Sequence, residues 1–126
     1  YRAAEVLHEA GLPFRTENMI GLPTTSWADD LRTLDMNLAL DPECAWASIY
    51  TPYVGTPLAT TAIEAGEYDH QDLDDIPPSF FEHTVLRFPW WRKLAVNNLQ
   101  QLFGIVVDHQ DFGHASSPFR GELFAL

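Results

Sequence analysis

Two short stretches hold the residues best placed to do chemistry. The first is Asn18-Met19-Ile20-Gly21-Leu22-Pro23, a strand-like run that ends in a Gly-Leu-Pro turn directly ahead of a helix. Backbone amides at a helix start attract anionic groups, and a glycine there lets a ligand approach the backbone. In open or barrel-type α/β sheets, ligands sit at the carboxyl ends of strands, where such turns lie. The second stretch, Ile49 to Pro57, ends another strand with Tyr50-Thr51-Pro52-Tyr53-Val54-Gly55-Thr56. On physics alone, the plainer reading of the first stretch is an ordinary strand-to-helix bend.

Other chemistry-bearing residues are scattered. The histidines are His8, His70, His83, His109 and His114. Asp108, His109, Asp111 and His114 cluster in sequence without a metal-site spacing, so they read as a solvated loop. Asp111-Phe112-Gly113 spells a kinase triplet, but neither a glycine-rich loop nor a catalytic loop accompanies it. Cys44, the single cysteine, reads as a small buried residue at a strand start. Trp90-Trp91 precedes Arg92-Lys93, and the expectation is that Trp91 joins a helix core while Trp90 covers a neighbour.

Composition narrows the partners. The 126 residues carry a net charge of −11, which repels phosphate backbones and argues against nucleic acid. A basic face for a membrane surface is missing, as is an apolar run of the ~18 residues needed to span a bilayer. One cysteine allows no intramolecular disulfide, and a cytoplasmic location is expected. The start, Tyr1-Arg2-Ala3-Ala4-Glu5, shows no signal peptide and lacks an initiator Met, which suggests a fragment, a processed chain or a trimmed one.

These stretches need elements to position them. Ala3, Ala4, Leu7 and Ala10 recur at helical spacing up to Gly11. Phe14 to Ile20 reads as a strand, with Phe14, Thr16, Asn18 and Ile20 on one side and Arg15, Glu17 and Met19 on the other. A strand with that many polar side chains suits a barrel lumen holding a ligand. Ser26 to Asp41 reads as a helix capped at Thr24, Thr25 or Ser26, with Asp29 and Asp30 in its first turn and Trp27, Leu31, Leu34 and Leu38 as its apolar stripe. That helix rises about 24 Å at ~1.5 Å per residue, and the strand extends about 23 Å at ~3.3 Å per residue. The lengths match, so the next strand, Ala45 to Tyr50, is predicted to lie parallel to the first. A short helix from Leu58 to Ala65 follows, with Pro57 in its first turn. Glu67 to Pro78 reads as an acidic, solvated linker, and His83 to Phe88 as a short extended piece. Trp90 to about Val107 is a long helix with Trp91, Ala95, Leu99, Leu102, Phe103 and Val106 as its stripe.

Glu9-Ala10-Gly11, then Asn18-Met19-Ile20-Gly21-Leu22-Pro23 and a capped helix, then Ile49 to Leu58, resembles the C-terminal half of a radical S-adenosylmethionine (radical SAM) core. In that family the fifth strand ends in a Met-Ile-Gly-Leu-Pro-Gly-Glu-Thr-like sequence and the sixth in a Pro-x-Pro-Gly-Thr-like sequence. Leu86-Arg87-Phe88-Pro89 and Asn97 to Phe103 resemble the tail of the subgroup with a cobalamin-binding domain. The resemblance covers about residues 1–107. It departs from the family at Thr24-Thr25-Ser26, where Gly-Glu-Thr would follow Pro23.

The resemblance implies a fold class: α/β, the C-terminal fragment of a partial (β/α) barrel with two parallel strands and flanking helices, plus a helical C-terminal extension. Residues 1–66 would be the βα units, and 67–126 the linker and extension. It also implies that Asn18, Met19, Ile20 and Gly21 line a SAM site and that Tyr50, Thr51, Pro52 and Tyr53 flank the adenine. The family's 4Fe-4S cluster needs a Cys-x-x-x-Cys-x-x-Cys motif, which a chain with one cysteine lacks. The expected function is therefore the SAM-binding portion of an iron–sulfur enzyme, inactive alone, with cobalamin as a further cofactor of the subgroup. The implied partner is the missing N-terminal half of the barrel. An isolated fragment is expected to expose apolar residues such as Ile20 and Ile49 and to self-associate through open strand edges. The competing reading is a non-catalytic α/β binding or assembly module.

Overall fold

The structure, a computed structural model, describes residues 1–69, 79 and 81–109. The elements run α1 (Arg2–Glu9), β1 (Arg15–Ile20), α2 (Trp27–Leu40), β2 (Cys44–Ile49), α3 (Pro57–Glu64) and α4 (Trp90–Asp108). The strands pair in parallel, with Arg15 opposite Cys44 and Ile20 opposite Ile49. Among the described residues the architecture is thus mixed α/β, with two parallel strands and four helices.

Local signals fix the element ends. Asp29 Oδ2 accepts from the Ser26 backbone N–H at 2.7 Å and from its hydroxyl at 2.6 Å, which closes the start of α2. Asp41, in the left-handed region at φ 49°, ends it. Thr56 Oγ1 caps α3 by accepting from Ala59 N–H at 3.3 Å, and Pro57 occupies the first turn.

The strands alternate as predicted, but the polar side of β1 points elsewhere than expected. Thr16, Asn18 and Ile20 face the helices. The polar pair meets Asn37 of α2, which is fully buried. The Asn18 and Asn37 side chains donate to each other at 3.2 and 2.8 Å, and the Thr16 hydroxyl donates to Asn37 Oδ1. A helix amide, not a lumen ligand, satisfies these groups.

One core spans both sides of residue 66. Ile20, Leu34, Ala45, Ala47 and Ile49 pack with Val96, Leu99, Phe103 and Val107 of α4. Each large side chain fully buried there is worth roughly 1.5–3 kcal/mol. The small residues on β2 let α4 come close: a Cβ on Gly104 would stand 2.8 Å from the Ala45 carbonyl oxygen. Gln100 Nε2 donates to the Ala47 carbonyl at 3.3 Å, so α4 also covers polar backbone of β2.

Both long helices turn part of their predicted stripes inward: Leu34, Leu99 and Phe103 are buried, and Trp27, Leu38 and Val106 pack against the core, but polar residues share the buried faces. The most buried residues of α2 are Asp30, Leu34 and Asn37, and those of α4 are Arg92, Val96, Leu99, Phe103 and Val107. Trp91 is 41% exposed and Trp90 78%, so neither tryptophan enters the core. Ile20 and Ile49, expected on the bare face, are 0% and 1% exposed, because α2 and α4 cover their side of the sheet. The bare face carries Met19, Trp46 and Cys44 instead; Cys44 is exposed, not buried. Trp46 packs against Phe81 with ring centroids 5.4 Å apart.

The acidic segment begins as packed chain. Tyr68 is buried with Tyr50, Ala62, Leu86 and Phe88, and Glu67 Oε2 accepts from Thr24 N–H at 2.8 Å. Residues 70–78, the tail from residue 110, and with them His70, Asp111 and His114, lie outside the described residues.

Candidate functional site at the strand ends

The register places the two predicted stretches together. Ile20 pairs with Ile49, and Tyr50 N–H donates to the Ile20 carbonyl at 2.9 Å, so Gly21–Pro23 and Thr51–Tyr53 leave the sheet from adjacent strands. Their side chains divide by burial. Ile20, Gly21, Tyr50, Thr51 and Pro52 are buried, and Asn18 is half-buried and bonded to Asn37 and to the Trp46 carbonyl. Met19 and Tyr53, 47% and 53% exposed, offer the accessible side chains of the set.

The turn after β1 is held by residues whose pairing the sequence reading did not foresee. Gly21 has φ +67°, a left-handed conformation that a Cβ would strain, and that Cβ would also meet Val96 Cγ1 at 3.0 Å. Its N–H donates to Asp30 Oδ1 at 2.8 Å. Asp30 Oδ2 stands 3.6 Å from Arg92 Nη2, with the two side chains 3% and 8% exposed. Arg92 Nη2 donates to Thr25 Oγ1 at 3.1 Å, and Thr25 Oγ1 donates to the Leu22 carbonyl at 2.8 Å. The guanidinium carbon lies 3.7 Å from the centroid of the Phe88 ring. The turn is therefore gripped from α2, from α4 and from the segment before α4.

Burial pushes the Asp30 carboxyl above the ordinary range, against the opposing pull of the Gly21 N–H and Arg92. Asp29 next to it moves the other way: hydrogen bonds from Ser26 hold its carboxyl below the ordinary range. Burial, with Tyr68 beside it, pushes the Tyr50 phenol up, and that hydroxyl makes no hydrogen bond among the described residues.

Asp30 and Arg92 each left a trace in the sequence. Asp30 precedes Leu34 and Asn37 at i+4 and i+7, and Arg92 precedes Val96, Leu99 and Phe103 at i+4, i+7 and i+11. A carboxylate and a cation each in phase with a buried face are the signal of a buried pair.

The two described cavities lie at the opposite end of the strands. One, of about 250 Å³, is lined by Ala4, His8, Leu40 and Asp41 among others. The second, of about 390 Å³, includes His8, Phe14, Pro42 and Glu43. His8 Nε2–H donates to the Leu40 carbonyl at 2.9 Å. Cys44 is at this same end, at the start of β2. Among the described residues no group of three or more His, Cys, Asp or Glu side chains is placed to hold a metal, and no helix is long and apolar enough to cross a membrane. No family model, curated protein or solved structure matches the chain.

Proposed function

We propose that the chain is the SAM-binding C-terminal portion of a radical SAM iron–sulfur enzyme, built as part of an incomplete (β/α) barrel and inactive without its other half. The observation that carries this reading is the pairing of the two strand ends. Motifs that are weak singly come from neighbouring parallel strands, and both turns open at the same end of the sheet. That end is where α/β sheets bind ligands.

The residues present fit part of a SAM site and no part of a cluster site. Backbone from Asn18 to Gly21 and from Tyr50 to Tyr53 would border the ligand, with the Met19 thioether and the Tyr53 ring as the exposed side chains beside it. SAM bound there would supply one-electron radical chemistry, with the electron coming from the partner half's reduced cluster. The cluster ligands would come from the partner half, because Cys44 is the single cysteine and sits at the far end of β2. This chain's contribution is to border and orient, and α2 and α4 hold the border in place. Cobalamin would belong to another part of the same parent protein.

A second reading, a non-catalytic assembly module, is favoured by the bare sheet face, where Met19 and Trp46 stand exposed. Two measurements separate the readings. A Cys-x-x-x-Cys-x-x-Cys motif upstream in the parent chain, together with saturable heat on titrating the reconstituted protein with SAM, supports the enzyme. Absence of that motif from the parent chain removes it and leaves the module.

A further inference from the structure

The Gly21 turn is a poor candidate for holding its own shape. It is left-handed at Gly21, begins where the strand ends, and has Thr24 at φ 60° three residues later. A turn of that kind takes one geometry only if outside groups impose it. The groups that do so are unusual for a core. Asp30 and Arg92 are 2% and 7% exposed, and a buried ion pair is weak evidence of stabilisation, since its desolvation cost rivals its attraction. Apolar residues at these positions would fill the space, yet none could accept from the Gly21 N–H or donate to Thr25.

We propose that Asp30 and Arg92 are the positioning pair of the strand-end site: the Asp30 carboxylate fixes the Gly21 amide, and Arg92 makes the Gly21–Thr25 turn depend on helix α4. The pair would act through the turn and not on a ligand. Calling the turn part of a site rests on the SAM-binding reading above; the geometry of the pair does not. Asp30 Oδ1 fixes the direction of the Gly21 N–H, and Arg92 reaches the far side of the same turn through Thr25. A shift of α4 along β2 would move Arg92 and Val96 together, and Val96 is the side chain nearest to where a Cβ on Gly21 would stand. Helix α4 is thereby coupled to the strand end.

The test is amide NMR on the full chain. In the wild type, the Gly21 amide proton should lie downfield and follow a carboxyl titration. The charged groups acting on that carboxyl are Arg92 of α4 and Asp29 of its own helix. Asp30→Asn keeps an acceptor but no charge. It should abolish the titration at Gly21 and speed exchange there about tenfold relative to Leu34, because the bond to Gly21 loses its charge assistance. Arg92→Lys should restore the Gly21 shift more nearly than Arg92→Met. The proposal is overturned if the wild-type Gly21 amide ignores the titration, a result that needs no variant to fold. It is also overturned if Asp30→Asn leaves Gly21 exchange unchanged. Calorimetry with SAM is the separate arm: an intact Gly21 signature without SAM binding in the reconstituted protein sinks the functional reading and leaves the positioning pair standing.

Discussion

Arg92 Nη2 on α4 and Asp30 Oδ2 on α2 stand 3.6 Å apart beneath the turn that ends β1, and both residues are almost wholly withdrawn from solvent. Removing one partner leaves the other as a buried, uncompensated charge. Asp30→Ala is therefore expected to destabilise the fold by about 3 kcal/mol or more. Urea unfolding followed by tryptophan fluorescence reads this directly, and an unchanged midpoint would contradict the buried-pair geometry.

Asp29 and Asp30 are neighbours that should titrate in opposite senses. The Asp30 folded-state pKa is raised by burial. As pH climbs from the unfolded value, about 3.9, through the raised folded value, unfolding releases a proton and this group's contribution to stability falls. The Asp29 value is lowered by its Ser26 hydrogen bonds. Its contribution is present above the unfolded value and is lost as pH falls through the folded one. Carboxyl-carbon NMR should resolve one midpoint on each side of the ordinary value; two coincident midpoints refute the assignment.

Gly104 has no room for a side chain. The added Cβ of Gly104→Ala would stand 2.8 Å from the backbone oxygen of Ala45, so strand or helix must move. A loss of roughly 1–3 kcal/mol is expected, although alanine favours helix more than glycine does. A rise in Tm on this substitution would show that α4 sits further from β2 than described.

Asn37 is fully buried and bonds to Thr16, Asn18 and the Thr33 carbonyl. Asn37→Leu strips polar partners from two β1 side chains at once. The expected cost is about 1–3 kcal/mol, each buried group left without a partner adding its desolvation penalty. Thermal unfolding of this variant should fall well below that of Met36→Leu on the exposed side of the same helix.

The bare sheet face predicts self-association. Met19 and Trp46 are exposed on it, and among the described residues no strand lies beyond β1. Light scattering at rising concentration should report masses above the 14.3 kDa monomer, and Trp46→Lys should lower them. A concentration-independent monomer would remove this expectation and its apolar-face argument together.

Much of the framework was legible in the sequence. Residues 26–41 and the strands on either side of them gave matched lengths, so a parallel pair followed from rise per residue alone. Ser26, Asp41, Pro57 and Gly21 marked element ends through local backbone chemistry, which needs no knowledge of distant residues. The candidate strand ends were legible for the same reason. The polar members of the buried helix faces were not. Hydropathy drew the α2 stripe as Trp27, Leu31, Leu34 and Leu38, of which Trp27, Leu34 and Leu38 do meet the core, and it put Trp91 in the core of α4, because it treats a charged or amide side chain as solvent-facing. In the fold Asp30, Asn37 and Arg92 are buried, since each meets a partner from another element.

Sequence by itself determined where elements begin and end, that the strands run parallel, and which two turns emerge side by side. Tertiary structure alone decided which polar residues join the buried helix faces and where the polar side of β1 finds its partners. It also decided that the Gly21 turn is clamped by a carboxylate and a guanidinium from two different helices. The division follows from the range of the interactions. Caps, turns and periodicity act within a few residues, whereas burying Asp30 becomes tolerable only when Gly21 and Arg92 arrive beside it.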